Sequence, residues 1–290
     1  TAIPEYNPTT CNLDGRQLSH MPAEVLARRD LECLSLYDNA LTTLADAIWE
    51  LRRLRVLNIA ANQIAELPAV IGQLTHLHML DLGHNAIAAL PDDLGQLHAL
   101  QFLYLSNNRL THVPATLAHL QQLCYLNIAD NRFTALPASI GKLAALTELR
   151  LYNNRIAELP AELGRLGALR ELHANHNLLA WLPDSVGQLG QLRTLTLQGN
   201  KLQALPAAIG GLAQLATLVL RDNQIATLPP ELGLLHSLRT LDVRANRISE
   251  LPDSLAQLPN LEKLDLRWNR LASVPAWIAD LERRGCLVYL

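Results

Sequence analysis

The constraint that dominates this chain is a period of 23 residues. Residues 146–166, LTELRLYNNRIAELPAELGRL, align without a gap on residues 169–189, LRELHANHNLLAWLPDSVGQL. The same frame starts at Leu31, Leu54, Leu77, Leu100, Leu123, Leu146, Leu169, Leu192, Leu215, Leu238 and Leu261, and covers residues 31–283. The unit reads LxxLxLxxNxLxxLPxxIGxL. All eleven units keep Asn at the ninth position, from Asn39 to Asn269, and ten keep Pro at the fifteenth, where only Ala45 departs. A repeat of this length is one supersecondary unit that cannot bury its apolar face alone, so the units must stack.

The unit can be built from its residues. In LRLYNN (149–154) apolar and polar residues alternate. Period two means a short strand with one buried face. Leu149 and Leu151 point inward; Glu148, Arg150 and Tyr152 point outward. Asn154 follows where the chain turns, and its amide must be fully paired if buried. Eleven such asparagines predict a ladder. The Pro at position fifteen fixes φ and ends the extended stretch. Leu163 and Leu166, three apart, then suit a short helical or 3₁₀ turn on the far side.

The motif resembles the leucine-rich repeat family. Its 23-residue LPxxIGxL form is similar to the repeats of bacterial cytosolic and effector proteins and of plant Ras-group-related proteins. The resemblance implies an α/β leucine-rich-repeat solenoid, a curved right-handed superhelix with a parallel β-sheet on the concave face and short helical or 3₁₀ turns on the convex face. Residues 1–30 are expected to be an N-terminal capping segment with a degenerate repeat: Cys11, Leu13, Leu18, Met21 and Pro22 keep the frame, and Arg16 replaces the Asn. Residues 31–283 form the eleven repeats. Residues 284–290 begin a partial twelfth, with Leu287 and Tyr289 expected to point inward. The first residue is Thr, which leaves room for an upstream segment, and an uncovered final strand would be an edge open to weak association.

Composition narrows the function. Net charge is −3 and aromatics are 4 % of the chain, unlike a strongly basic nucleic-acid or anionic-membrane binder. No apolar run approaches the roughly 18 residues of a membrane span, and the start lacks a signal-peptide pattern. Cys11, Cys33, Cys124 and Cys286 are widely spaced without a CxxC pair, which predicts free thiols in a reducing, cytoplasmic compartment or in a host cytosol if the chain is a secreted effector.

With the frame fixed, positions three, five, seven and eight form outward columns. Six of the chain's twelve aromatics fall there: Tyr37, Phe102, Tyr104, Tyr125, Tyr152 and Trp268. Phe102, Tyr104, Tyr125 and Tyr152 come from consecutive coils and are expected to form one patch, the usual material of binding hot spots. Position seven also stacks Arg221, Arg244 and Arg267 beside Asp222, Asp242, Asp265 and Trp268, either a solvated salt-bridge network or a rim for an acidic partner segment. Arg109, Arg132, Arg155, Arg247 and Arg270, at position ten, are expected to be solvated.

His173 and His176 fall at positions five and eight, both on this face. A metal site needs a third ligand; Glu148 or Glu171 could complete one, but Arg150 beside them argues against a bound cation. A nucleophilic triad would need a Ser or Cys within reach, and Cys33 lies several coils from His173, which argues against a Cys–His couple. At position six Ala174 replaces a large aliphatic residue, which opens space that Trp181 could fill or cover.

The reading is a non-catalytic protein–protein interaction module, with no cofactor and no metal. Its candidate partner surface is Phe102, Tyr104, Tyr125, Arg150, Tyr152, His173 and His176, with Arg221, Arg244, Arg267 and Trp268 as a secondary area. The partner is a protein, not nucleic acid or membrane. Two other readings stand beside it: the substrate-recognition part of a larger bacterial effector such as a ubiquitin ligase, and a metal-dependent hydrolase at His173 and His176.

Overall fold

The computed structural model describes residues 9–290. These residues group into two compact units, one ending at Arg132 and one beginning at Phe133. Each is built from the same coil: a three-residue strand, a left-handed turn, an extended return and a 3₁₀ turn.

The first unit carries β1 (Thr10–Asn12), β2 (Cys33–Ser35), β3 (Val56–Asn58), β4 (Met79–Asp81), β5 (Phe102–Tyr104) and β6 (Tyr125–Asn127). They pair in parallel and in chain order. The register is the sequence period: Thr10 lies beside Cys33 and Phe102 beside Tyr125. Helix α1 (Ala23–Leu26) follows β1 in the capping coil, and 3₁₀ turns follow β2 to β5, as at Ala69–Gln73 and Ala115–His119. Leu34, Leu57, Leu80, Leu103 and Leu126, the central residues of β2 to β6, are wholly buried.

The second unit carries β7 (Glu148–Arg150), β8 (Glu171–His173), β9 (Thr194–Thr196), β10 (Thr217–Val219), β11 (Thr240–Asp242), β12 (Lys263–Asp265) and β13 (Leu287–Tyr289). These also pair in parallel and in chain order. Helix α2 (Ile278–Arg283) replaces the 3₁₀ turn in the last coil. The 3₁₀ turn expected around Leu163 spans Ala161–Arg165, with Pro160 extended (φ −68°, ψ 147°) just before it. The glycine of the motif is explained here: a Cβ on Gly187 would meet the Ala208 carbonyl oxygen at 2.2 Å. Successive turns stack too closely for a side chain.

The asparagine ladder is present and links coil to coil through the backbone. Asn177 accepts the Ile156 N–H on Oδ1 (3.0 Å) and donates from Nδ2 to the carbonyls of Leu151 (3.0 Å) and Ala174 (3.2 Å). Asn62, Asn108, Asn131, Asn200, Asn223 and Asn246 repeat the pattern. Asn39 of the first repeat holds the cap in the same way, accepting from the N–H groups of both Arg16 and Leu18 (3.0 Å each).

Three expectations need correction. Leu287 and Tyr289 do not point inward. Lys263 pairs with Leu287 and Leu264 with Val288, an offset of 24. The extra residue belongs to the coil that carries α2 and Gly285 (φ +93°), and a one-residue slip exchanges the faces of a strand. Position eight is not a flat part of the sheet. Asp38, Ala61, His84, Asn107, Asp130, Asn153, His176, Gly199, Asp222, Ala245 and Trp268 all take positive φ, so this position is the turn that ends each strand. Trp181 does not fill space beside the buried Ala174; it is exposed.

Candidate functional site

On the first unit, outward positions of β5 and β6 bring aromatics together. Phe102 stands beside Tyr125 in register, and Tyr104 is diagonal to it. The Tyr104 and Tyr125 rings lie 4.7 Å apart, tilted by 37°, within the range of favourable aromatic pairs. Phe102 is 37 % exposed and Tyr37 lies exposed on the turn after β2. The leucines between these residues fill the inner face, which leaves the large rings on the sheet surface. Among the acids, Asp81 stands opposite Tyr104; burial pushes its carboxyl up, against the Gly83 N–H that it accepts at 2.9 Å.

On the second unit, β7, β8 and β9 carry a polar cluster. Glu148 pairs with Glu171, and Arg150 with His173. Arg150 Nε donates to Glu148 Oε1 at 2.6 Å. His173 sits between two partners, with Nε2 3.0 Å from Glu171 Oε2 and Nδ1 3.1 Å from Thr196 Oγ1. Tyr152 is half-buried two residues beyond Arg150, just past the end of β7. His176 is elsewhere: it occupies the left-handed turn (φ +51°) and its Nε2 lies 3.3 Å from Gln198 Nε2. Its ring covers Gly199, where a Cβ would meet Nδ1 at 2.4 Å. The two histidines therefore do not form a metal pair. Among the described residues, the group whose ligand atoms converge is Glu148, Glu171 and His173, all within 4.8 Å of one another.

The arginine column is present and interleaved with its own acids. Arg221 donates to Gln198 Oε1 at 2.6 Å. Arg244 Nε lies 3.7 Å from Asp242 Oδ2. Arg267 grips Asp265 with two bonds, 2.9 and 2.6 Å. That hydrogen bonding holds the buried Asp265 carboxyl below the usual carboxylate range. Its neighbour across the strands, Asp242, moves the other way. Burial first, then the Asp265 charge, pushes it up to about 6. Arg267 also lies 5.0 Å from the Tyr289 ring and 5.9 Å from the Trp268 ring, cation–π distances. Trp268 is 73 % exposed and sits at φ +58°, a strained conformation for a bulky residue. The position-ten arginines Arg109, Arg132, Arg155, Arg247 and Arg270 are all exposed.

Sequence reasoning missed Tyr289 as an outward residue. Its signal was faint: Gly285 and the loss of the Asn–Pro pattern after Asn269 and Pro275. The left-handed turn left a clearer signal, since position eight is rich in Asp, Asn, Gly and His. The four cysteines are free. Burial pushes the thiols of Cys33, Cys124 and Cys286 up, away from the reactive thiolate. No helix among the described residues is long and apolar enough to cross a membrane.

A family model described as a leucine-rich repeat region matches residues 30–124, 69–177 and 208–284, and a leucine rich repeat model matches 168–225. A comparison with curated protein sequences gave no significant match. Solved structures do match. A leucine-rich-repeat protein of Leptospira interrogans shares 25 % identity with a TM-score of 0.62, over 98 % of this chain and 97 % of that one. The plant peptide hormone receptor RGFR1, solved in complex with RGF2, shares 26 % identity with a TM-score of 0.75, over 97 % of this chain and 55 % of the receptor. The internalin inlF of Listeria monocytogenes shares 21 % identity and the fold, with a TM-score of 0.74 over 97 % and 86 % of the two chains. Repeat models that run from residue 30 to residue 284, over coils that keep one asparagine clamp and one register, make this chain a member of the leucine-rich repeat family.

Proposed function

We propose that this chain is a non-catalytic binding module whose sheet face docks another protein. The observation that carries the reading is the Tyr104–Tyr125 ring pair with Phe102 beside it, large aromatic surface held on short rigid strands. Aromatic side chains supply contact area at low entropic cost and dominate interface energetics. On the second unit, Arg150, Tyr152, His173 and His176 add polar and aromatic groups, and Arg221, Arg244, Arg267 and Trp268 a charged area. Because those arginines already pair with Asp242, Asp265 and Gln198, they orient a partner more than they attract one. The plant receptor that shares this fold was solved with the peptide hormone RGF2, which supports a peptide or protein ligand here. Free thiols support a reducing, cytoplasmic setting.

The test is an affinity capture with wild type, Tyr104→Ser/Tyr125→Ser and Gln257→Ser, the last an exposed position on a 3₁₀ turn away from the sheet. The reading expects a partner retained by wild type and Gln257→Ser and lost from the double variant, with unchanged melting curves. A partner retained equally by all three refutes it.

A further inference from the structure

We propose that Glu148, Glu171 and His173 bind one divalent transition-metal ion of the zinc type on the outer face of β7 and β8. Two carboxylates and one imidazole place ligand atoms within 4.8 Å of one another on rigid, hydrogen-bonded strands. Glu148 and Glu171 stand directly opposite each other, an arrangement that costs free energy for like charges. Arg150 offsets only part of it. It takes one oxygen of Glu148, and a carboxylate has two. A cation shared by both carboxylates removes the repulsion.

The imidazole is already oriented for the role. Without an ion, Nε2–H donates to Glu171 Oε2 at 3.0 Å; an ion at Nε2 displaces that proton, and the imidazole then donates Nδ1–H to Thr196 Oγ1, 3.1 Å away. Metal-bound histidines are held in this way by a partner on the second ring nitrogen, and metal-bound carboxylates are themselves hydrogen-bonded, here by Arg150. Zinc bonds of about 2.0–2.2 Å put tetrahedral neighbours about 3.4 Å apart. Small rotations of the Glu148 and Glu171 side chains, the latter 46 % exposed, bring the present distances to that value. The imidazole favours a zinc-type ion over calcium or magnesium, which take oxygen ligands. Three protein ligands leave a fourth position for solvent. His176, with its ring over Gly199, is not a ligand.

Zinc titration of the metal-free full chain by calorimetry near neutral pH tests the site without any partner, so its result is separate from the docking proposal. One zinc per chain in the micromolar range is expected. Glu171→Gln and His173→Gln should each weaken it by about tenfold or more, and Thr196→Val by about tenfold; His176→Gln should leave it unchanged. Cobalt substitution of the wild-type chain gives visible bands from a four-coordinate site and needs no variant. Absence of stoichiometric zinc, zinc undiminished in both Glu171→Gln and His173→Gln, or loss in His176→Gln overturns the assignment.

Discussion

Replacing Asn177 by Ala tests what holds one coil to the next. The side chain is 4 % exposed. Its removal takes the acceptor from the Ile156 N–H and a donor from the carbonyls of Leu151 and Ala174. Those carbonyls are not abandoned, since Asn154 Nδ2 still reaches Leu151 O at 2.9 Å and Asn200 Nδ2 still reaches Ala174 O at 2.9 Å. The group left with nothing is the Ile156 N–H. An orphaned buried N–H costs about 1–3 kcal/mol, and the lost donor bonds add about 1 kcal/mol net. The expected loss is therefore about 2–4 kcal/mol. Arg247→Ala, exposed on another coil, should cost less than about 0.5 kcal/mol. Urea unfolding followed by circular dichroism measures both, with the m-value checked because stacked repeats can lose cooperativity. An Asn177→Ala loss no larger than that of Arg247→Ala would refute the clamp.

Three further outcomes follow from the same coordinates. Gly199→Ala should cost about 1–2 kcal/mol, because a Cβ at φ +67° is strained and would strike His176; the cost should shrink in a His176→Ala background, read by a double-mutant cycle. Asp242, at about 6 when folded and 3.8 ordinarily, holds its proton more tightly in the folded state. Its contribution to stability is therefore greatest below about pH 4 and is lost as pH rises through 6. Asp242→Asn should raise stability at pH 7 by about 1–3 kcal/mol and flatten that part of a urea-midpoint pH profile. Val288→Asp should destabilise by about 2 kcal/mol in thermal unfolding, while Leu287→Asp should stay within about 0.5 kcal/mol, because Val288 aligns with the buried Leu264.

The repeat was legible because a 23-residue period is read directly from letters and becomes a strand register without further information. Phe102 and Tyr125 are sequence positions 23 apart and register partners in the sheet. The convergence of Glu148, Glu171 and His173 follows from the same frame, at positions three and five. In the sequence Arg150 argues against a cation on that face, whereas its hydrogen bond leaves the other Glu148 oxygen uncommitted to it. What the period could not supply was dihedral detail. His176 shares a column number with face residues but sits on a left-handed turn, and only backbone sterics distinguish the two. The final coil was misread for a related reason. Between Pro275 and Leu287 the chain exchanges a 3₁₀ turn for α2 and gains one residue, so extrapolating the period inverted the faces of β13.

The central claim is that the aromatic sheet face, not the 3₁₀ side, is where a partner docks. A photo-crosslinking residue placed at Phe102, compared with the same residue at Gln257, tests it most directly in an extract containing the partner. The account predicts a covalent partner adduct from position 102 and none from position 257. Adducts from position 257 alone would contradict it.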